Sequence, residues 1–159
     1  MNVTEKISLL LENKIPYMIE PGFDDMGASW AEEHFGETCG CLAKSVAVNV
    51  DGKVYMVVIP ATEQVNLRNL EHYLGAGNVR LATEAECRPI FSDCDEGATP
   101  IFGSLYGLPV LVPHELTDNE EIAFPAGTSR DLVRLRLIDY LITEKPCVCA
   151  RNAIMKKPS

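Results

Sequence analysis

Apolar positions recur along this chain with two periods, one helical and one of strands, and the switches between them mark the elements. Ile7, Leu10 and Leu11 follow helical spacing continued by Lys14, and Leu9 widens the apolar face. Asn2 with Glu5 three residues later offers a capping box. Pro16 lacks an N–H and disfavours helical geometry at Ile15, so this helix is expected to end near Asn13. Tyr17–Glu20 reads as a short strand stopped by Pro21-Gly22, and Ala28–His34 as a second short helix with Gly36 as its exit. The sharpest local signal is Asp51-Gly52 between Ser45–Val50 and Lys53–Ile59. Asp-Gly tolerates the positive φ angles of a two-residue type I′ turn, and both flanks are rich in β-branched residues, so a hairpin is predicted.

Leu67, Leu70 and Leu74 then predict a helix over Asn66–Leu74 that exits at Gly75. Val79–Ala82 reads as a strand, and Thr83 with Glu86 as the capping box of a short helix ending before Pro89. Pro109–Val112 and Glu121–Phe124 read as further strands. Leu132, Val133, Leu135, Ile138, Leu141 and Ile142 form a broad apolar stripe, which predicts a helix from about Arg130 to Ile142 with Ser129 as N-cap. A hairpin mixed with isolated helices, without regular strand–helix alternation, points to an α+β domain with a mixed sheet. Neither a repeat nor a linker interrupts residues 1–159, and that length suits one domain with its own core.

Composition narrows the function classes. The chain is 47% hydrophobic and 23% charged, as folded soluble proteins are. No apolar run approaches the roughly 20 residues of a membrane span, and the N-terminus lacks the pattern of a signal peptide, so a cytoplasmic protein is expected. The net charge of −9 argues against binding nucleic acid through the whole-protein field, and DNA is not an expected partner. Half of the 14 basic residues (Arg130, Arg134, Arg136, Lys145, Arg151, Lys156 and Lys157) nevertheless fall in the last thirty positions, which keeps a local basic face open. The pairs Cys39/Cys41 and Cys147/Cys149 are separated by one residue, whereas structural zinc sites space paired cysteines by about two to four. Reduced thiols are therefore expected, with a thiol-based metal or redox protein as the competing reading; Cys87 and Cys94 look like isolated small residues.

Two features invite chemistry. Lys44 leads the first hairpin strand, a place where lysine commonly just guards an edge. The stretch Asp93–Pro109 is dense in Gly and Pro yet carries Ile101, Phe102, Leu105 and Tyr106. Glycine permits close backbone approach to a ligand, and aromatics can wall a pocket. Four segments occur in a telling order: Ala43-Lys44-Ser45-Val46, Gly97-Ala98-Thr99-Pro100-Ile101-Phe102-Gly103, Leu105–Val110 and Ile122-Ala123-Phe124-Pro125-Ala126-Gly127-Thr128. Together they resemble the YbaK/EbsC family over about residues 42–142, while the region before Leu42 matches less clearly.

That resemblance implies a largely antiparallel, partly barrel-like mixed sheet with surrounding helices, and a relative of the YbaK and ProX proteins and of the insertion domain of prolyl-tRNA synthetases. The implied activity is metal-independent hydrolysis, without a cofactor, of the ester on a mischarged tRNA acceptor end, acting in trans on a small amino acid such as Ala, Ser or Cys. tRNA-Pro is an expected carrier, and a synthetase is a second expected partner. Lys44 takes the position of the family's catalytic lysine, and Gly97, Ala98, Thr99, Pro100, Phe102 and Gly103 that of its substrate loop; Gly127 and Thr128 lie beside the pocket in such folds. Three positions depart from the usual pattern: Glu96 at the start of the loop, Ile101 for a second proline, and Pro113-His114 after the strand. Of the three scattered histidines, His34, His72 and His114, only His114 falls near the implied pocket. A silent binding module that senses an amino acid, an aminoacyl-tRNA end or a protein is the alternative.

Overall fold

The computed structural model describes residues 3–11, 15–21, 42–95, 97–128 and 131–155. The expected helix at 28–34 with its exit Gly36, the thiols Cys39 and Cys41, and Glu96, Ser129, Lys156 and Lys157 lie outside them. In order, the elements are α1 (Val3–Leu11), β1 (Tyr17–Pro21), β2 (Ala43–Val50), β3 (Lys53–Pro60), α2 (Leu67–Leu74), β4 (Val79–Leu81) and α3 (Glu84–Cys87). They continue with β5 (Val110–Pro113), β6 (Glu121–Pro125), β7 (Asp131–Arg136), α4 (Leu137–Glu144) and β8 (Cys147–Cys149). Two 3₁₀ turns, Gly103–Tyr106 and His114–Asp118, flank β5.

Five strands form a mixed sheet in the order β4-β2-β3-β5-β8, antiparallel from β4 to β3 and parallel from β3 to β8. A second, antiparallel sheet has the order β1-β7-β6. The sheets touch at a parallel bridge between Leu42 and Ala123, but the described strands do not close into a barrel. The class is α+β, as the pattern of elements predicts.

The β2–β3 hairpin turns at Asp51 (φ 49°) and Gly52 (φ 94°), the two positive angles that a type I′ turn demands. Asp51 also accepts from the N–H groups of Gly77 and Asn78 at 3.1 and 2.8 Å, which ties the turn to the approach to β4. α2 begins at Asn66, whose side chain accepts from the Asn69 N–H at 3.0 Å, and ends at Gly75 in the left-handed region. Thr83 and Glu86 make the predicted capping box on α3.

One expectation is overturned. Residues 131–136 are the strand β7, and the helix α4 begins only at Leu137. β7 is the central strand of its sheet, paired with β1 on one side and β6 on the other. The adjacent Leu132 and Val133, on opposite faces of the strand, are both buried together with Leu135, which blurs the alternation a strand would show. β8 also passed unread, its Cys-Val-Cys being only three residues long.

The five-stranded sheet separates two cores. Val48, Val57 and Ile59 pack toward Leu70 of α2 and Ile154 of the C-terminal segment. Met56 and Val58 face the other way, with Val3, Ile7 and Leu11 of α1, Phe102, Phe124 and Tyr140. Among the described residues no helix is long and apolar enough to cross a membrane.

Candidate functional site

The period of two along β2 gives each side chain a face. Val46 and Val48 go to the α2 side, while Ser45 and Ala47 turn the other way and, with Met56 opposite Ala47, form the floor of a groove of about 520 Å³. Ala82, Glu84, Cys87 and Arg88 make one wall. Phe91, Ser92, Cys94, Asp95, Gly97 and Thr99 make the other.

Backbone hydrogen bonds hold the second wall. Ala98 donates to Asp95 O at 3.0 Å, Asp95 to Gly127 O at 2.8 Å, and Gly127 back to Ala98 O at 2.8 Å. Gly97 and Gly127 have φ of 78° and 90°, and a Cβ on Gly127 would lie 2.7 Å from Val3 Cβ, so α1 presses on a turn that only glycine fits. Ser45 Oγ donates to Thr99 O at 3.3 Å, joining the loop to β2. Among the described residues no hydrogen bond engages the N–H of Gly97 or of Thr99, whereas that of Ala98 is committed within the loop.

The loop is anchored from below. Pro100, Ile101 and Phe102 are buried, and Phe102 meets the ring edges of Phe124 and Tyr140 with centroids 5.4 and 5.3 Å apart. Tyr140 donates its hydroxyl to Ile101 O at 2.7 Å. Gly103 sits against Val110, and a Cβ there would come within 2.6 Å of Leu108 O. The following 3₁₀ turn is capped by Glu144, which accepts from Ser104 N–H and Oγ at 2.8 and 2.7 Å; burial raises its pKa against those hydrogen bonds.

The structure brings Gly97, Ala98 and Thr99 together with Gly127, and Thr128 follows half-buried. Pro100, Phe102 and Gly103 support the loop from the core. Lys44 is half-buried opposite Ile59; alternation assigns it to the α2 face, and it is not among the described residues lining the groove. His114 is exposed in the second 3₁₀ turn. That turn packs on the C-terminal segment through Asp118–Arg151 at 2.8 Å and through Glu115, which accepts from Asn152 N–H at 3.2 Å.

Both thiols of the groove are held protonated. Burial, with Asp93 beside it, pushes Cys94 up to about 11 against the hydrogen bond with Tyr106 Oη at 3.0 Å, and burial with the charge of Glu86 raises Cys87. Neither is a poised nucleophile. Sequence reading missed Ser45, Ala47, Met56 and Arg88 as lining groups. The available signal was the pair of small residues on one face of an otherwise β-branched strand.

A family profile for the aminoacyl-tRNA editing domain matches residues 26–141. No protein of curated function matches the sequence. Among solved structures, one described as a candidate trans-editing enzyme for prolyl-tRNA synthetase superposes with a TM-score of 0.78 at 19% identity, over 99% of each chain. The hypothetical protein APE2540 does so with 0.79 at 17% identity, over 98% of this chain and 100% of that one. A protein from Marinobacter aquaeolei VT8, described as acting in signal transduction, matches with 0.71 at 16% identity, over 95% of this chain and 30% of its own. These identities speak for the fold alone. The profile match extends over well more than half of the sequence and spans both the loop and the turn that wall the groove, and the chain belongs to the aminoacyl-tRNA editing domain family.

Proposed function

We propose that this groove receives the aminoacyl-adenosine end of a mischarged tRNA and hydrolyses its ester in trans, on a small amino acid such as alanine, serine or cysteine, with tRNA-Pro as the expected carrier. The observation that carries this reading is the loop around Asp95 and Gly97–Thr99, tied to Gly127 by two backbone hydrogen bonds and closed by a third from Ala98 to Asp95, while among the described residues no hydrogen bond engages the N–H groups of Gly97 and Thr99 at the groove wall. Water adds to the ester carbonyl, the oxygen gathers negative charge, and those two N–H groups stabilise it; the bond to the ribose oxygen then breaks and that oxygen takes up a proton. Rigid donors of this kind are worth about 2.7–4 kcal/mol each at acyl-transfer sites. Water suffices as nucleophile, in keeping with the protonated state of Cys87 and Cys94.

Lys44 is the proposed contact to ribose or phosphate oxygens, as a point charge. It stands on the face of β2 opposite Ser45, so its substitution decides whether it acts in the site. The family supplies the selective need: one methylene separates substrates by only about 1–3 kcal/mol, and a second hydrolytic sieve removes what the first admits.

The experiment is release of labelled alanine, serine, cysteine and proline from charged tRNA by the wild type, Lys44→Ala and Gly97→Ala. No neighbour lies within 4 Å of a Cβ on Gly97, but its φ is strained for alanine and the new methyl enters the wall of the groove. Selective release by the wild type, with a loss of at least tenfold in Gly97→Ala, is expected. Activity retained in Lys44→Ala removes that lysine from the mechanism. No release from a broad panel by folded protein replaces the deacylase with the binding module.

A further inference from the structure

We infer that Arg88 is a phosphate contact of this groove, binding the phosphate that joins the last two nucleotides of the substrate; the inference rests on the deacylase reading. Among the described residues lining the groove Arg88 is the one cation, sharing that lining with the acids Glu84 and Asp95 in a chain of net charge −9. A polyanionic acceptor end entering there meets repulsion from the other two charges of that lining. A guanidinium offers a planar fork that matches two phosphate oxygens.

Its bonding differs from that of three other arginines. Arg80 is held by both carboxylate oxygens of Glu86, Arg136 by both of Asp139 and Arg151 by both of Asp118. Among the described residues the Arg88 guanidinium makes one hydrogen bond, from Nη2 to Glu84 Oε1 at 2.6 Å. The two side chains are 73% and 85% exposed, so this i,i+4 pair contributes little and exchanges readily. Glu84 therefore acts as a placeholder that a phosphate displaces, and it lines the groove beside the residue it occupies.

The test compares wild type, Arg88→Ala, Arg88→Lys and Glu84→Gln on charged tRNA and on aminoacyl-adenosine, which has the ester but no phosphate. Arg88→Ala is expected to raise KM for charged tRNA about tenfold at unchanged kcat. It should also make the fall of log kcat/KM with log salt shallower by about 0.7, one single-strand phosphate contact. Hydrolysis of aminoacyl-adenosine stays at the wild-type rate, Arg88→Lys recovers part of the loss, and Glu84→Gln lowers KM. An unchanged KM and salt slope in Arg88→Ala, or an equal loss on aminoacyl-adenosine, overturns the inference. Fluorescence anisotropy with uncharged tRNA stands apart from hydrolysis. If the wild type hydrolyses neither substrate, the deacylase reading falls, whereas binding that Arg88→Ala leaves intact defeats the phosphate contact alone.

Discussion

The hydroxyl of Tyr140 lies beneath the Gly97–Gly103 loop and donates to the Ile101 carbonyl at 2.7 Å. Burial raises its pKa well above the usual value, so it remains a donor at every working pH. Tyr140→Phe keeps the ring against Phe102 and leaves a buried carbonyl without its partner. It is expected to lower stability by about 1–3 kcal/mol, read as a drop in the urea midpoint with an unchanged slope. The neighbouring Phe102 illustrates what residue type leaves open. Aromatics in a glycine-rich loop suit a ligand wall and a core anchor equally, and here the ring is fully buried between Phe124 and Tyr140. Gly103 was legible as a glycine of the motif, but its reason, the crowding by Val110 and Leu108, belongs to the packed loop.

Elements whose ends are written in side-chain chemistry follow the sequence closely. Asn66 and Gly75 bracket α2, Thr83 and Glu86 cap α3, and Asp51-Gly52 turns the hairpin, each within hydrogen-bond reach of its own backbone. Asn66→Ala removes the acceptor for the Asn69 N–H and is expected to cost about 1 kcal/mol, measured by thermal or urea unfolding. β7 shows the opposite case. Leu132, Val133 and Leu135 continue into Leu141 and Ile142 at spacings that a helical stripe also satisfies, and local pattern alone cannot tell the two apart. The ladders to β1 and β6 decide it, since a central strand gains hydrogen bonds on both edges.

Across the molecule, Glu86 ties the groove wall to the main sheet. Its carboxylate accepts from Arg80 at the edge strand β4, from the backbone of Thr83 and from Asn49 Nδ2 of β2 at 2.6 Å. The hydrogen bond from Arg80, then that from Thr83, lower its pKa from 4.5 to about 2. A carboxyl depressed in the folded state binds its proton first in the unfolded chain. Its contribution is complete above about pH 4.5 and is lost as pH falls toward about 2. Glu86→Gln is expected to be less stable than wild type at neutral pH and to show a flatter loss over that window, measured by urea midpoints across pH. The sequence by itself determined the elements with local stop signals, the α+β class, and the order of motifs whose loop and turn meet at the groove. Those features depend on backbone angles, caps and residue identity within a few positions. Only the tertiary structure decided that residues 131–136 are a strand, that the groove lies on the Ser45 face of β2 and not on the Lys44 face, that Phe102 is core, and that Arg88 is the one cation among the described residues lining the groove. Each of these depends on which distant backbone or side chain comes alongside, and that is settled by burial and strand pairing rather than by local preference.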